Sequence, residues 1–324
     1  RLFSGLAKKS FSNSKSSKMS LIGNQFQLAD GQLIPAVAYG LGTKWFKWGQ
    51  NELDENLVKL LKLAFAKGFT HVDGAEIYGT DGELGEAMKS VDRSKIYISN
   101  KFLVGDASHQ GVSPHGLPLD ALKYQLSEKL KTDYVDLYLL HSPFVDEKVH
   151  GFTLAEAWKS MEQIVDLGLA KSIGVSNFAV EDLQEILKVA RIKPVVNQIE
   201  FSAFLQNQTP GIVEFCQKNE ILVTAYSPLG PITRTELGEG KFHALLSRLA
   251  SVYDKTPEQV LLRWVLQRGI LPVTTSSNET RIGQFVDIFN FQLTPAEIEE
   301  ITVMGEKMPA LRQWWVAEYS QYDK

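Results

Sequence analysis

Four side chains, Asp73, Tyr78, Lys101 and His141, bring an acid, a phenol, an amine and an imidazole into the first half of the chain. A phenol has an ordinary pKa near ~10 and gives up its proton reluctantly at neutral pH. An ammonium fixed beside it favours the phenolate and makes the phenol a stronger acid. Lys101 has the charge for that task, and Asp73 can hold the ammonium through a charge-assisted hydrogen bond. A neutral His141 ring can donate a hydrogen bond that orients a carbonyl oxygen. The four together would protonate that oxygen as a hydride arrives on the opposite face. Singly, each residue also has an ordinary use: Asp73 as a turn cap, Tyr78 as a packing ring, Lys101 as a solvated charge, His141 as a hydrogen-bonding group beside a proline. The case for chemistry therefore rests on their being brought together.

The elements that would do so are legible as alternating apolar runs and helical stretches from residue 20 onward. The strand candidates are AVAYG (36–40), FTHVD (69–73), KIYISNK (95–101), YVDLYLLH (134–141), AKSIGVS (170–176), PVVNQIE (194–200), ILVTAYS (221–227) and ILPVTT (270–275). Between them lie stretches such as NELDENLVKLLKLAFAKG and TPEQVLLRWVLQRG, with capping residues near the start and glycine at the end. Strict alternation implies a parallel sheet, and eight units over about 290 residues fit a closed (β/α)8 TIM barrel of the α/β class. QFQL, ADG and QLIP read as an N-terminal β-hairpin ahead of it. In such a barrel active groups sit at the carboxyl ends of strands. The second strand ends at Asp73 with Tyr78 in the loop beyond, the third at Lys101 and the fourth at His141, which puts all four on one rim.

Competing patterns are weak. A doubly wound dinucleotide fold would need a third glycine where GLGTKW has Trp45 after Gly40 and Gly42. Tyr97 and Lys101 have the YxxxK spacing of a helical catalytic pair, but on a strand they would lie roughly 13 Å apart. The six histidines show no HExxH or close ligand pair, so no metal is expected. No GxSxG elbow is present.

Composition bounds the rest. The 324 residues are 44% hydrophobic and 22% charged, with a formal charge of -4, and no basic run interleaved with aromatics points to nucleic acid. The single cysteine, Cys216, excludes an internal disulfide and suits a reducing compartment. No apolar run approaches the roughly 18 residues of a membrane span. Residues 1 to 18 carry Arg1, four lysines and six serines with no acid. They read as a disordered basic extension (1–19), with a mitochondrial transit peptide as the alternative. The expectation is a cytoplasmic protein, or a mitochondrial one should that segment be native targeting. Residues 20–324 are expected to form one domain, including a tail over 306–324, as a monomer or weak dimer.

The segments GFTHVDGAEIYG, ISNKF, DLYLLHSP, GLAKSIGVSNF, PVVNQIEF and TAYSPLG, in order across residues 21 to 310, resemble the successive signatures of the aldo-keto reductases. The resemblance implies a tetrad of Asp73, Tyr78, Lys101 and His141, and hydride transfer from an extended nicotinamide dinucleotide across the barrel mouth. It implies that Asp73, Ser176, Asn177 and Gln198 surround the nicotinamide end, that Tyr226 stacks on its ring, and that Gly42 and Thr43 touch the same end. Ser227 and Leu229 match pyrophosphate contacts, and Ser276, Ser277 and Arg281 the adenosine phosphate region. Many members carry a lysine where this chain has Thr275, which removes one partner of a 2′-phosphate. Arg281 remains and can bind a phosphate bidentately, so NADPH is expected, with NADH possible.

Within the family, HSPF, NQIEFSAFLQNQTPGI and LPVTTSS resemble fungal reductases of α-keto amides and conjugated polyketones. This implies reduction of small activated carbonyls: α-keto amides, α-keto esters, diketones and aldehydes. Ser142 stands where a bulky residue is common, which would widen the pocket. The tail MPALRQWWVAEYSQY would cover the mouth, making Trp314 and Trp315, with Trp45, Phe46 and Phe144, walls around a substrate held by Tyr78 and His141. Two alternatives stay open: a sugar (D-arabinose or pentose) dehydrogenase or reductase on the same scaffold, and a non-catalytic cofactor-binding barrel.

Overall fold

The computed structural model describes residues 20–47, 49–106, 111–234 and 240–323. The expected basic extension lies outside the described residues. An antiparallel hairpin of β1 (Gln25–Gln27) and β2 (Leu33–Pro35) precedes the barrel, turning through Gly31 at φ 87°. Eight parallel strands then close on themselves: β3 (Ala38–Gly40), β4 (His71–Asp73), β5 (Tyr97–Phe102), β6 (Val135–Leu140), β7 (Ala170–Ser176), β8 (Val196–Glu200), β9 (Leu222–Tyr226) and β10 (Leu271–Thr274), with β10 pairing back onto β3. Every expected strand is present. β5 and β6 are buried along their whole length, as strands covered by helices on one side and barrel interior on the other must be.

Local chemistry sets where the helices begin and end. Asp54 accepts from the amides of Asn56 and Leu57 at 2.9 and 3.1 Å, starting the helix Glu55–Lys67, which stops at Gly68 with φ 107°. Thr153 with Glu156, Thr256 with Gln259, and Thr294 with Glu297 form capping boxes at three later helices. The last of these, Pro295–Glu306, packs so closely on the loop after β8 that a Cβ on Gly305 would lie 2.3 Å from the Ala203 carbonyl oxygen. That contact aims the following chain across the mouth. Leu311 N–H bonds to Phe204 O at 3.1 Å, and a short helix, Val316–Tyr319, completes the cover.

Strand register aligns the functional rim. Asp73 pairs with Gly40 on one side and Ser99 on the other, Lys101 with Leu139, Ser176 with Gln198, and Glu200 with Tyr226. Among the described residues no helix is long and apolar enough to cross a membrane.

Candidate active site

The rim residues enclose a cavity of about 680 Å³, lined among others by Asp73, Tyr78, His141, Asn177, Gln198 and Tyr226. Lys101 is not itself among the lining residues; it is buried at 0% exposure against Asp73, which is. Its Nζ donates to Asp73 Oδ2 at 2.6 Å and to the Gly74 carbonyl at 2.8 Å, and stands 5.3 Å from the centroid of the Tyr78 ring. Burial alone would push this amine down, but the Asp73 carboxylate and Tyr78 hold it above its ordinary value. It is therefore a fixed cation.

Tyr78 closes a 3-10 turn, Glu76–Tyr78, held by Glu76, which accepts from Leu103 N and Ser113 Oγ at 2.9 and 2.7 Å. Its acidity corrects the simple expectation from sequence. Burial raises the phenol pKa, Lys101 pulls it down by charge and a hydrogen bond, Asp73 pushes it back up, and the net direction is upward. Desolvation wins over the ammonium in the open pocket. A fixed cation in this position has a field whose value would grow were negative charge to form on the phenol oxygen. The Tyr78 ring also covers Gly42, where an added Cβ would meet its Cζ at 2.7 Å. His141, one residue past β6, packs edge to face on Tyr78 with centroids 5.8 Å apart. Burial and the charge of Lys101 lower its pKa to about 3, so the ring is neutral.

Side-chain amides tie these groups to one another. Gln198 Nε2 donates to Asp73 Oδ1 at 2.9 Å. Asn177, at φ 62°, donates to the His141 carbonyl at 2.9 Å and accepts from Tyr226 Oη at 2.7 Å and Gln208 Nε2 at 3.1 Å. Ser176 is buried behind it, its hydroxyl turned to the Gln198 carbonyl at 2.9 Å. Ser227 and Leu229 line the far end of the cavity with Thr275. Beyond them Ser276 accepts from Tyr39 Oη through its carbonyl at 2.7 Å, Lys44 Nζ bonds Ser277 Oγ, and Arg281 is exposed.

The expected aromatic walls divide. Phe46, Trp314 and Trp315 line the cavity. Trp45 is not among the lining residues: it is 8% exposed and its indole donates to Thr275 Oγ1 at 3.0 Å. Phe144 supports Trp315 from behind, with centroids 5.5 Å apart. Ser142, expected to widen the pocket, is not among the lining residues: it is fully buried with its hydroxyl on the Gly105 carbonyl at 2.7 Å. Sequence reasoning passed over Glu200, Gln208, Arg312 and Tyr319, which anchor the tail. Glu200 carried a usable signal, an acid at the carboxyl end of a strand, whereas Gln208 carried none. Among the described residues no cluster of three or more His, Cys, Asp or Glu side chains could hold a metal.

Residues 38–306 match the model of the aldo/keto reductase family. The chain belongs to that family. As an aldo/keto reductase it is an oxidoreductase acting between carbonyl and alcohol groups. It is 48% identical over 309 residues to an NADPH-dependent alpha-keto amide reductase of Saccharomyces cerevisiae, covering 92% of this chain and 96% of the relative. It is 40% identical over 281 residues to an NAD/NADP-dependent indole-3-acetaldehyde reductase of Schizosaccharomyces pombe, covering 86% and 94%. Among solved structures, the Bombyx mori aldo-keto reductase in complex with NADP superposes with a TM-score of 0.77 at 30% identity, covering 94% of this chain and 100% of that one.

Proposed function

We propose that this aldo/keto reductase reduces small activated carbonyls, foremost α-keto amides and α-keto esters, with NADPH, and that Tyr78 gives the proton to the carbonyl oxygen. The observation that carries the reading is a fully buried Lys101 ammonium tied to Asp73 at 2.6 Å and set beside the Tyr78 phenol. A buried cation that is already paired costs little reorganisation when a neighbouring oxygen gains negative charge. His141, neutral and on the same wall, can donate a hydrogen bond to the substrate oxygen without competing for the proton.

The cavity suits a dinucleotide. It runs from Tyr78 and His141 past Asn177, Gln198 and the Tyr226 ring to Ser227, Leu229 and Thr275. Gln198 offers an amide oxygen for a carboxamide, Asn177 an amide that would exchange one of its bonds to His141, Ser176, Tyr226 or Gln208 for the ligand, Tyr226 a ring face for stacking, and Ser276, Ser277 and Arg281 the polar and cationic end for a phosphate. Once bound, the nicotinamide supplies the hydride. Lys44 beside Ser277 and exposed Arg281 favour a 2′-phosphate, while Thr275 in place of a lysine leaves NADH as a weaker donor. The name of the Saccharomyces cerevisiae relative supports NADPH and the α-keto amide class, and that of the Schizosaccharomyces pombe relative fits an aldehyde with either cofactor.

Tyr78→Phe removes the proton donor and keeps the ring. Reduction of an α-keto ester should become undetectable while NADPH still binds in a fluorescence titration. Retained turnover defeats the assignment, and faster oxidation of arabinose than reduction of the keto ester would move the substrate to sugars.

A further inference from the structure

Glu200 ends β8 with 1% of its surface exposed. Both carboxyl oxygens are taken by the C-terminal tail: Gln313 N–H donates to Oε1 at 2.8 Å and Trp314 N–H to Oε2 at 3.1 Å. Its own amide donates to Gln208 Oε1 at 2.7 Å, and Gln208 receives Arg312 Nη2 on its carbonyl at 2.9 Å. Arg312 in turn grips Asp323 through Nε at 3.0 Å and Nη2 at 2.7 Å, closing the tail into a loop. Immediately after the two held amides, Trp315 sits at φ 54°, a region that a bulky side chain enters only when its surroundings impose it. Its ring rests on Phe144, and both Trp314 and Trp315 face the cavity.

A buried carboxyl is a costly acceptor. The charged or titratable groups acting on it are Arg312, Asp323 and Tyr226, and burial still pushes its pKa up to about 7. Parking the tail requires less, since Leu311 is held by an ordinary backbone carbonyl, Phe204 O, at 3.1 Å. What the carboxyl adds is two acceptors at a fixed spacing, which orient two consecutive peptide planes and so the two indoles that follow.

We infer that Glu200 is a positioning residue that sets the Trp314–Trp315 wall, and with it the size of carbonyl substrate accepted, by clamping the amides of Gln313 and Trp314. The term substrate here rests on the reductase reading above, whereas the clamp itself does not.

The test reads the two separately. In the full chain, residue-resolved hydrogen exchange by NMR should show the Gln313 and Trp314 amides exchanging at least tenfold more slowly than those of Val316 and Ala317. In Glu200→Gln, where a side-chain NH2 faces one backbone N–H, protection at 313 or 314 should fall about tenfold while β6 keeps its own. For a bulky aryl α-keto ester the KM of the variant should rise about tenfold with kcat within threefold, and for a two- or three-carbon aldehyde the KM should move less than twofold. Unchanged tail exchange in a folded variant, or equal KM changes for both substrates, overturns the inference. Should the variant not fold, the wild-type comparison decides, equal exchange at 313–314 and 316–317 being the overturning result. A wild type that reduces no carbonyl sinks the functional reading alone, and the exchange result still decides the clamp.

Discussion

Lys101 and Asp73 form a 2.6 Å ion pair in which the amine side chain is 0% and the carboxylate 4% exposed. Removing one partner of such a pair strands the other charge in a low-dielectric site, which costs about 3 to 5 kcal/mol. We therefore predict that Lys101→Met loses stability on that scale in denaturant titrations. It should also lose about a hundredfold or more in kcat, the usual scale for disabling a proton donor. A variant with near wild-type turnover would show that the ammonium does not assist Tyr78.

Gly42 and Tyr78 yield a second prediction. An alanine methyl at 42 would lie 2.7 Å from the phenol carbon Cζ, so the ring must move. Misplacement of a reacting group by about 1 Å can cost on the order of a hundredfold. Gly42→Ala should lower kcat by at least tenfold, with a smaller change in the NADPH dissociation constant. A larger effect on cofactor affinity than on kcat would make Gly42 a cofactor contact first.

The pH dependence of turnover follows from His141 and Tyr78. The imidazole, with a pKa lowered to about 3, is neutral at every pH above that, and the phenol, with a pKa raised above 10, stays protonated through neutral pH. Hence kcat for carbonyl reduction should be flat between pH 5.5 and 8.5 and decline only on the alkaline side. An inflection near 6.5 that disappears in His141→Gln would mean the ring titrates during catalysis.

How much of this was readable beforehand differs by layer. The barrel was legible because period-two apolar runs alternate with capped helices, and strand order in a (β/α)8 barrel follows chain order. Asp73, Tyr78, Lys101 and His141 were legible because each lies at or just beyond the carboxyl end of a strand, Lys101 one residue before the end of β5, so topology alone puts them on one rim. The net acidity of Tyr78 was not, since it depends on a contest between burial and two neighbouring charges that spacing does not reveal. Nor were the positions of Trp45 and Ser142, whose rotamers are decided by partners far along the chain, Thr275 and the Gly105 carbonyl. Gln208 gives no sequence signal because a lone glutamine in a loop becomes a junction only through contacts with Asn177, Glu200 and Arg312.

Cofactor choice can be tested on two cations of the outer rim. Lys44 reaches Ser277 from the loop after β3, and Arg281 stands exposed in the helix Glu279–Val286. Exposed pairs with a phosphate contribute modestly on their own, and a bidentate guanidinium contributes more. Arg281→Ala should weaken NADPH binding by about tenfold and NADH binding by less than twofold, and Lys44→Ala should show the same preference at smaller size. Equal losses for the two cofactors would place the 2′-phosphate elsewhere.

Glu200 also makes a prediction about stability. Its carboxyl rises from 4.5 to about 7 on folding, because burial outweighs the hydrogen bonds from Gln313 and Trp314 and the charge of Arg312. The folded chain therefore binds more protons than the unfolded chain between those values, so stability drains away as pH climbs through the window. Glutamine at this position carries no such proton. Asp81, raised to about 6, and His71, lowered to about 4, add slopes of their own, but these are common to both proteins and cancel in the difference. The free energy of Glu200→Gln relative to wild type should thus improve steadily from pH 4.5 to 7 and level off beyond 8, a change on the order of 3 kcal/mol. Urea unfolding at four pH values measures it. A difference that is flat, or that worsens with rising pH, would mean the carboxyl is ionised in the folded chain well below neutrality.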